Sequence, residues 1–484
     1  MEYTTQRVLV TVFGFTPLLV LLLPAAARIL LARARYDFFE PLTFVALTTF
    51  IGVTARSLYV AHTGNTEILN RLTLGQNPVI LLQGQLLLTA GLLAFAGGYL
   101  TPDKQTRWPI GRLRLLRNDV WSRRRVLLLC AAYVAIAALG TLLFLRAVQA
   151  DIRSVADISS KRALVPGGGL RLVFGYHRWA AALCIPAFYF LLIWHTSGRR
   201  KWRSLSGLSV ILVGILALVF PILTSLREGV VVLAINALVI RHYLNRGPGR
   251  QGGLGFVRVT AVASIALLVV LVLTGLRRGA TSPRDISRYV SARAVLENIV
   301  ASRNFVDVSG AALAVESIPG RVDYLGGSSL VAWVTAPIPR SVWENKPPVS
   351  LGYRFASDVY GLNLASSRGG GKPPGFPVEL YWNFGYAGLL VGMFLLGVVL
   401  RQIYRSLAPL LVAGGKNAAA LYIALLHPLT MGLLGTDLSQ SMVRVGTGLI
   451  PILLGIWIVQ GRPSNTTQSS KELHEVRIQG ESYV

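Results

Sequence analysis

The chain has 484 residues, 53% of them hydrophobic and only 14% charged, and its mean hydropathy is +0.55. Water-facing side chains cannot cover so apolar a chain, which excludes a soluble globular protein and favours a membrane protein. The formal net charge is +27, but the basic residues lie mostly in short loops between apolar stretches. We therefore expect anionic lipid headgroups, and no nucleic acid, as their partner. The two cysteines, Cys130 and Cys184, lie inside apolar stretches and predict neither a disulfide nor a metal site.

About eleven stretches are apolar enough over about 20 residues to cross a bilayer as helices. The first is expected to be a retained helix, because no small-residue cleavage site of a signal peptide follows it. The predicted spans are residues 8–30, 41–60, 78–100, 126–148, 179–196, 208–225, 230–244, 257–276, 380–400, 418–434 and 446–459.

Basic residues predict the orientation, since short loops rich in Lys and Arg stay in the cytoplasm. The segment after the third span is densely basic from Lys104 to Arg125, which places it inside. Alternation then places the loops after the fifth, seventh and ninth spans inside, and all three are basic. The N-terminus is expected outside, and residues 461–484 form a polar cytoplasmic tail that we expect to be disordered. The basic residues of the three loops are Arg199, Arg200, Lys201 and Arg203, then Arg241, Arg246 and Arg250, then Arg401, Arg405 and Lys416.

Residues 1–460 are predicted to form a single transmembrane domain, because apolar stretches recur along the whole chain. The eighth and ninth spans are separated by a large extracytoplasmic loop, residues 277–378, whose basic residues do not contradict the topology because long loops translocate largely regardless of charge. No repeat relates the two halves, which weighs against an inverted-repeat transporter. The expected fold is all-α: a polytopic protein of the cell (inner) membrane.

Three outer segments place charge at the membrane surface, where a charge is costly unless it is paired or used. The first is the tight hairpin 225–229, with Arg227 beside Glu228; a pair between these two, or contact of Arg227 with headgroups, is the structural alternative. The second is 338–348, in which prolines stiffen the loop that carries Arg340, Trp343 and Lys346. It follows a short apolar piece, 329–337, that is typical of an interfacial or re-entrant element.

The third segment, 375–388, brings Glu379 into the membrane surface beside an aromatic cluster at the start of the ninth span. An unpartnered carboxylate is costly there.

Together these segments resemble the O-antigen polymerase (Wzy-type) family of oligosaccharide repeat unit polymerases. That family has a Ser-Arg near the outer end of a middle span, where this chain has the hairpin 225–229 (Ser-Leu-Arg-Glu-Gly). It has a Pro-Arg-x-x-Trp-x-x-Lys-Pro-like motif in the large outer loop, here Pro339, Arg340, Trp343, Lys346 and Pro347. It has a Glu-x-Tyr-x-Asn-Phe-Gly-x-x-Gly motif opening a late span, here Glu379, Tyr381, Asn383, Phe384, Gly385 and Gly388.

The resemblance implies a fold similar to that of the polyprenyl-lipid-dependent glycosyltransferases. It implies transfer of a glycan from polyprenyl diphosphate onto another lipid-linked repeat unit, at the outer face of the cytoplasmic membrane. The implied partners are the lipid-linked oligosaccharides, membrane lipids, a chain-length regulator and a repeat-unit flippase. No cofactor is implied, because the energy of the reaction resides in the diphosphate linkage.

Such a transfer builds negative charge on the departing diphosphate, and guanidinium groups match phosphate geometry. Arg227 and Arg340 are therefore the predicted catalytic pair, with Lys346 and Arg354 in support. Further residues expected to contact substrate are Trp343, Tyr381, Asn383, His177 and Arg178.

The acceptor hydroxyl must also lose a proton. Glu379 is the predicted base, although a salt bridge that orients an arginine is an equally good explanation of it. His177 and Asp437 are in reserve, whereas His427, followed by Pro428, is better explained as a kink-supporting partner inside a span. Metal ligation is not expected, because His and carboxylate residues do not cluster in the sequence.

Three other functions remain open. An O-antigen ligase-like enzyme would use a similar donor with a different acceptor. A polyprenyl-phosphate-sugar-dependent glycosyltransferase would carry acidic residues in its first large outer loop, where this chain offers only Glu67. A glycan or lipid transporter would line its spans with polar groups, whereas the charges here gather in outer loops.

Overall fold

The computed structural model describes residues 3–32, 37–63, 78–101, 108, 113–148, 170–224, 227–245, 256–277, 300, 308–338, 342–343, 346, 349–362 and 371–461. Within those ranges every regular element is a helix, apart from an isolated β-bridge between Trp121 and Gln460. The expectation of an all-α protein is confirmed for this part of the chain. The predicted polar tail lies outside the described residues beyond Gly461.

The longer helices, numbered in chain order, are α1 (Tyr3–Ala32), α2 (Pro41–Thr63), α3 (Pro78–Leu100), α4 (Arg123–Val148), α5 (Leu170–Ala181), α6 (Cys184–Ser197), α7 (Leu205–Leu223), α8 (Arg227–Asn245), α9 (Phe256–Arg277), α10 (Val308–Ser317), α11 (Gly375–Val412), α12 (Lys416–Thr430) and α13 (Leu438–Val459). Helix α2 contains a π-helical stretch, Phe50–Ala55. Short turns of helix lie at Ser328–Val331, Gly352–Arg354 and Gly432–Gly435.

Nine helical segments in the described ranges are long and apolar enough to cross a membrane, which supports a multi-pass membrane protein. The other two predicted spans, 230–244 and 257–276, are also helical, as α8 and α9. Helix α8 begins with Arg227 and Glu228 and carries basic residues in its last turns, so its apolar stretch is short. That α8 and α9 span the membrane stays a prediction.

The chain divides into two compact units. Unit 1 comprises Met1–Arg107, Val295–Tyr404 and Leu426–Val445. Unit 2 comprises Trp108–Ala294, Arg405–Leu425 and Gly446–Val484.

In unit 1, α1 and α3 run in the same direction with the end of α2 between them. Val10, Val60 and Leu81 share a buried cluster, and the Gln85 amide donates to the carbonyl of Val10 at 2.8 Å and to Ser57 Oγ at 3.0 Å. A buried amide with two acceptors fixes the register of three helices at once.

Helices α3 and α11 touch backbone to backbone through glycines. A Cβ added at Gly98 would lie 2.0 Å from the carbonyl oxygen of Phe394, and one at Gly397 would lie 2.2 Å from that of Phe95. More widely spaced contacts give the direction: a Cβ at Gly91 would lie 2.8 Å from Leu389 Cδ1, and the Arg401 guanidinium lies 5.4 Å from the centroid of the Tyr99 ring. The two helices are therefore parallel, as the predicted topology requires of its third and ninth spans. If α8 and α9 did not cross the membrane, the number of crossings between α3 and α11 would fall by two. The two helices would then still be expected to be parallel.

Part of the predicted extracytoplasmic loop belongs to the helical core of unit 1. Helix α10 is largely buried and packs on α3, where a Cβ at Gly84 would lie 2.5 Å from the backbone nitrogen of Ala312. Its ten residues are too few to span a bilayer, so a search for spans passes over them. Helix α10 lies at the N-terminal end of α3, the end predicted to face outside.

The opposite end of unit 1 holds a partly buried ion pair. Arg401 Nη1 lies 3.1 Å from Glu40 Oε1, which also accepts from the Tyr99 hydroxyl at 2.8 Å. Arg401, predicted to orient a basic cytoplasmic loop, is thus also part of a structural network.

In unit 2, α4 runs antiparallel to α5 and α6. A Cβ at Gly140 would lie 2.6 Å from the backbone nitrogen of Ala181, and the Cys130 thiol contacts the carbonyl of Ala187. The N-terminus of α12 is capped by Asp119, whose carboxylate accepts from the backbone N–H groups of Lys416 and Asn417, each at 2.9 Å.

Candidate active site at a break in helix α11

The third motif builds a broken helix. Phe384 (φ −143°, ψ 21°) and Gly385 (φ 64°, ψ −154°) leave helical geometry, which separates a short N-terminal half-helix, residues 375–383, from the rest of α11. The Gly385 conformation is essentially restricted to glycine. A Cβ there would also lie 3.1 Å from the Tyr324 hydroxyl oxygen. The motif therefore requires glycine at position 385 because of the backbone conformation at the break.

A helix break frees backbone groups that must find other partners. The Asn383 amide donates to the carbonyl of Glu379 at 2.8 Å, and the backbone N–H of Leu325 donates to the carbonyl of Trp382 at 2.9 Å. Asn383 and a neighbouring loop thus compensate for the helical hydrogen bonds that the break removes.

The loop that precedes the turn Ser328–Val331 is held against the half-helix by side chains of the same motif. The Tyr381 hydroxyl donates to the carbonyl of Ile318, and the Trp382 indole donates to that of Asp323, each at 3.1 Å. The N–H of Gly327, a residue with φ 86°, donates to Asn383 Oδ1 at 2.9 Å. Tyr381 and Asn383 therefore have a structural role, because they hold this loop against the half-helix.

Glu379 lies at the centre of this arrangement, with 0% of its surface exposed. Its Oε1 accepts from the Ser329 hydroxyl at 2.8 Å, and its Oε2 accepts from the backbone N–H of Leu438, the first residue of α13. Ser329 also accepts from the Asn383 amide at 2.8 Å, and its carbonyl accepts from the Ser439 hydroxyl. One carboxylate thus connects α11, the turn at Ser329 and the N-terminus of α13, where the helix dipole favours negative charge.

Asp437 is a second carboxylate at the same helix N-terminus. Its Oδ1 accepts from the N–H of Gln440 at 2.7 Å, and its Oδ2 accepts from the N–H of Leu351 at 3.1 Å and the Ser350 hydroxyl at 3.2 Å. Burial raises the pKa of the Asp437 carboxyl above its usual range, although these hydrogen bonds and the charge of Arg444 act in the opposite direction.

Three aromatic rings surround the break, and each leaves about half of its surface exposed. We call Tyr324, Phe384 and Tyr386 the aromatic rim; their exposed fractions are 45%, 51% and 50%. The Tyr386 ring packs edge-on against Tyr381 at 5.1 Å, and a Cβ at Gly327 would lie 3.0 Å from the Phe384 ring. The aromatic rim therefore packs on Tyr381 and Gly327, which also take part in the hydrogen bonds around the break.

One exposed cation lies beside this region. The Arg354 guanidinium is 5.7 Å from the centroid of the Trp382 ring, and its Nε lies 3.1 Å from Asp358 Oδ2. The side chain of Arg354 is 49% exposed, so this ion pair leaves part of the guanidinium open to solvent.

Lys346, in contrast to Arg354, is buried and binds backbone carbonyls. Its ammonium is buried and donates to the carbonyls of Ala336 and Ile338, each at 2.9 Å. It therefore closes the segment between residues 336 and 346, which carries Arg340. Arg340 itself lies outside the described residues, and Trp343 is partly exposed.

The other predicted site residues belong to unit 2. Arg227 begins α8, and its Nη1 donates to Thr274 Oγ1 on α9 at 3.0 Å. His177 and Arg178 are half-buried on α5. Within unit 1 the structure thus brings together Glu379, Tyr381 and Asn383, and Arg354 lies beside Trp382.

The sequence interpretation missed Ser329, Tyr324 and Ser439 as members of this site. A signal for the helix start did exist: Asp437 followed three residues later by Gln440 matches the pattern of a capped helix N-terminus. Nothing local marks Ser329, because its partners lie 50 and 54 residues away.

In the described ranges, no group of three or more His, Cys, Asp or Glu residues is placed to hold a metal ion. Comparison of the chain with protein-family models, with curated proteins and with solved structures finds no match. The likeness to the O-antigen polymerases therefore rests on the three motifs alone.

Proposed function

We propose that this protein is a membrane glycosyltransferase that polymerises polysaccharide, transferring a glycan from polyprenyl diphosphate onto another lipid-linked repeat unit. The reaction takes place at the outer face of the cytoplasmic membrane. The proposal is supported by the order of the three motifs along the chain and by what the third motif builds.

The observation that carries the proposal is the break in α11. Non-helical backbone at membrane depth is tolerated only where it is buried in protein or faces water, because lipid cannot satisfy freed N–H and C=O groups. At this break the carbonyls of Glu379 and Trp382 accept from Asn383 and Leu325, and the half-exposed rings of the aromatic rim leave a surface beside them that a ligand can contact. Broken helices of this kind line binding sites in other membrane proteins.

The aromatic rim and the nearby Arg354 suit the sugar and the diphosphate of the substrate. Aromatic rings offer flat apolar faces with polar edges, which fit the mixed surface of a sugar. A guanidinium group suits the diphosphate; Arg354 offers one beside the break, and Arg340 and Arg227 are proposed for the same role from their motifs. Lys346 positions the loop that carries Arg340, and Trp343 anchors that loop at the interface. Tyr381 and Asn383 shape the break, while His177 and Arg178 contact the lipid-linked chain.

In the chemical step, the acceptor hydroxyl oxygen bonds to the anomeric carbon of the donor as the bond from that carbon to the phosphate oxygen breaks. The diphosphate leaves with the bonding electron pair, and the hydroxyl proton passes to Glu379. For this, Glu379 must exchange its hydrogen bond from Ser329 or Leu438 for one from the acceptor. Catalytic hydrogen bonds often form only once the substrate is bound.

The test is reconstitution. Purified protein in lipid, given only lipid-linked repeat units, should produce a ladder of longer glycans that remain on polyprenyl diphosphate, with neither nucleotide sugar nor divalent metal required. Transfer to a different acceptor would identify a ligase instead. Loss of activity with a chelator and its return with a metal would contradict the proposed chemistry.

A further inference from the structure

The opposite end of unit 2 from Arg227 gathers three arginines from three different elements. Arg123 begins α4, Arg200 follows the end of α6, and Arg241 lies near the end of α8. The basic-loop pattern predicts that all three are cytoplasmic, and the structure arranges Arg200 and Arg241 around two tryptophans, Trp194 and Trp202.

Arg200 is the most closely held of the three. Its Cζ lies 3.3 Å from the centroid of the Trp194 ring. The chain turns back sharply to allow this, since Arg199 has φ 50°, a conformation that residues other than glycine rarely adopt. The turn also places the guanidinium over the last turn of α6, where the helix dipole favours a cation.

Trp202 makes the second half of the arrangement. Arg241 Cζ lies 5.3 Å from its ring centroid, and the ring of the buried His195 lies 4.6 Å from it. His195 Nδ1 is 3.1 Å from Ser206 Oγ, which fixes the imidazole. Two rings therefore hold two guanidinium groups in defined places.

Basic residues dominate this end. Residues 120–148, 184–206 and 229–245, which contribute the helix ends and the loop, contain no Asp or Glu. Asp119, four residues before Arg123, caps helix α12. Burial, and then the neighbouring charge of Arg123, lowers the pKa of the Arg200 guanidinium. Like charges held together in this way favour a bound anion.

Apolar surface continues directly from the cations. Leu205 and Leu208, at the start of α7, are 82% and 55% exposed. A ligand that bridges the arginines and these leucines needs an anionic head and an apolar chain, which a free phosphate lacks.

We propose that Arg200 and Arg241, set on Trp194 and Trp202, bind the phosphate of an anionic phospholipid whose acyl chain lies along Leu205 and Leu208. The guanidinium forks match phosphate oxygens, and tryptophan suits the membrane interface. The site does not depend on the proposed polymerase activity, because it can bind lipid without any glycan.

The experiment titrates purified protein in detergent with phosphatidylglycerol or phosphatidylcholine of identical acyl chains and counts bound lipids by native mass spectrometry. Phosphatidylglycerol should bind more tightly than phosphatidylcholine. The double variant Arg200→Gln/Arg241→Gln should lose at least roughly tenfold in affinity for the first phosphatidylglycerol, the scale of a lost charge-assisted hydrogen bond.

The matched control is Lys201→Gln/Arg203→Gln, which removes the same charge from exposed positions of the same loop and should change that affinity by less than about twofold if the site is specific. Equal losses in the two double variants, or no preference for phosphatidylglycerol, would overturn the proposal. Tighter binding of polyprenyl diphosphate than of phosphatidylglycerol at this site would overturn it as well. If the double variant fails to fold, Arg200→Lys decides: weaker binding without loss of charge supports the fork geometry, and unchanged binding contradicts it.

Discussion

Glu379 illustrates how one side chain can be needed for structure and for chemistry at once. Its carboxylate accepts from Ser329 and from the N-terminus of α13, so its removal would be expected to loosen the break even if it took no part in catalysis. A substitution that keeps the shape of the side chain but removes its ability to accept a proton distinguishes the two roles.

Glu379→Gln meets that requirement. The amide oxygen still accepts from Leu438, and the amide nitrogen can donate to Ser329 Oγ, so unfolding temperature should change little. If Glu379 is the base, initial polymerisation rate per folded molecule should fall by roughly 10² to 10⁴. The control is Ser329→Ala, which removes the hydrogen bond and leaves the carboxylate. A near-normal rate for Glu379→Gln would restrict this residue to a structural role.

Asp437 predicts a pH effect on stability. Its folded-state pKa is raised, so the native protein binds this proton more tightly than the unfolded chain does. The stabilisation is fully present below the unfolded pKa of about 3.9 and is lost as pH rises through the raised folded pKa. Unfolding temperature in detergent should therefore fall more steeply with pH, from pH 4 upward, in the wild type than in Asp437→Asn. Parallel curves would mean that Asp437 titrates normally.

At the scale of elements, length and apolarity predicted the long helices well because those properties are local. The segments 230–244 and 257–276 are helical as expected, and the motif beginning at Glu379 does open a late helix. Helix α10 was missed because its burial comes from contact with Gly84, more than two hundred positions earlier in the chain. The break at Gly385 was missed for the same reason, since its partners Leu325 and Tyr324 lie outside the motif.

A side chain at position 385 should therefore destabilise the protein. Gly385→Ala adds a Cβ beside the Tyr324 hydroxyl in a conformation that only glycine adopts readily. It should cost about 1–3 kcal/mol of stability, measured as a lower unfolding temperature. Gly446→Ala is the matched control: a Cβ there meets nothing within 4 Å in helix α13. It should be neutral or slightly stabilising. Equal effects of the two substitutions would contradict the geometry of the break.

For the whole molecule, the predicted topology places residues 277–378 outside and the loop after the fifth span inside. Two exposed positions test it. A cysteine in place of Gly320, where a Cβ meets nothing within 4 Å, should react with an impermeant maleimide in intact cells. A cysteine in place of Lys201 should react only after the membrane is opened. The native Cys130 and Cys184 are buried and should contribute little labelling. The reverse pattern would move the proposed site to the cytoplasmic face.

The central claim is that the glycan of a lipid-linked substrate contacts the aromatic rim at the break in α11. A photo-crosslinking amino acid in place of Tyr386, in protein reconstituted with lipid-linked repeat units, measures this directly. The same amino acid in place of Leu395, on the same helix and similarly exposed, reports contact with lipid. The account predicts a crosslinked adduct that carries the glycan at position 386 and not at position 395. Equal yields of glycan adduct at the two positions, or none at position 386, would contradict it.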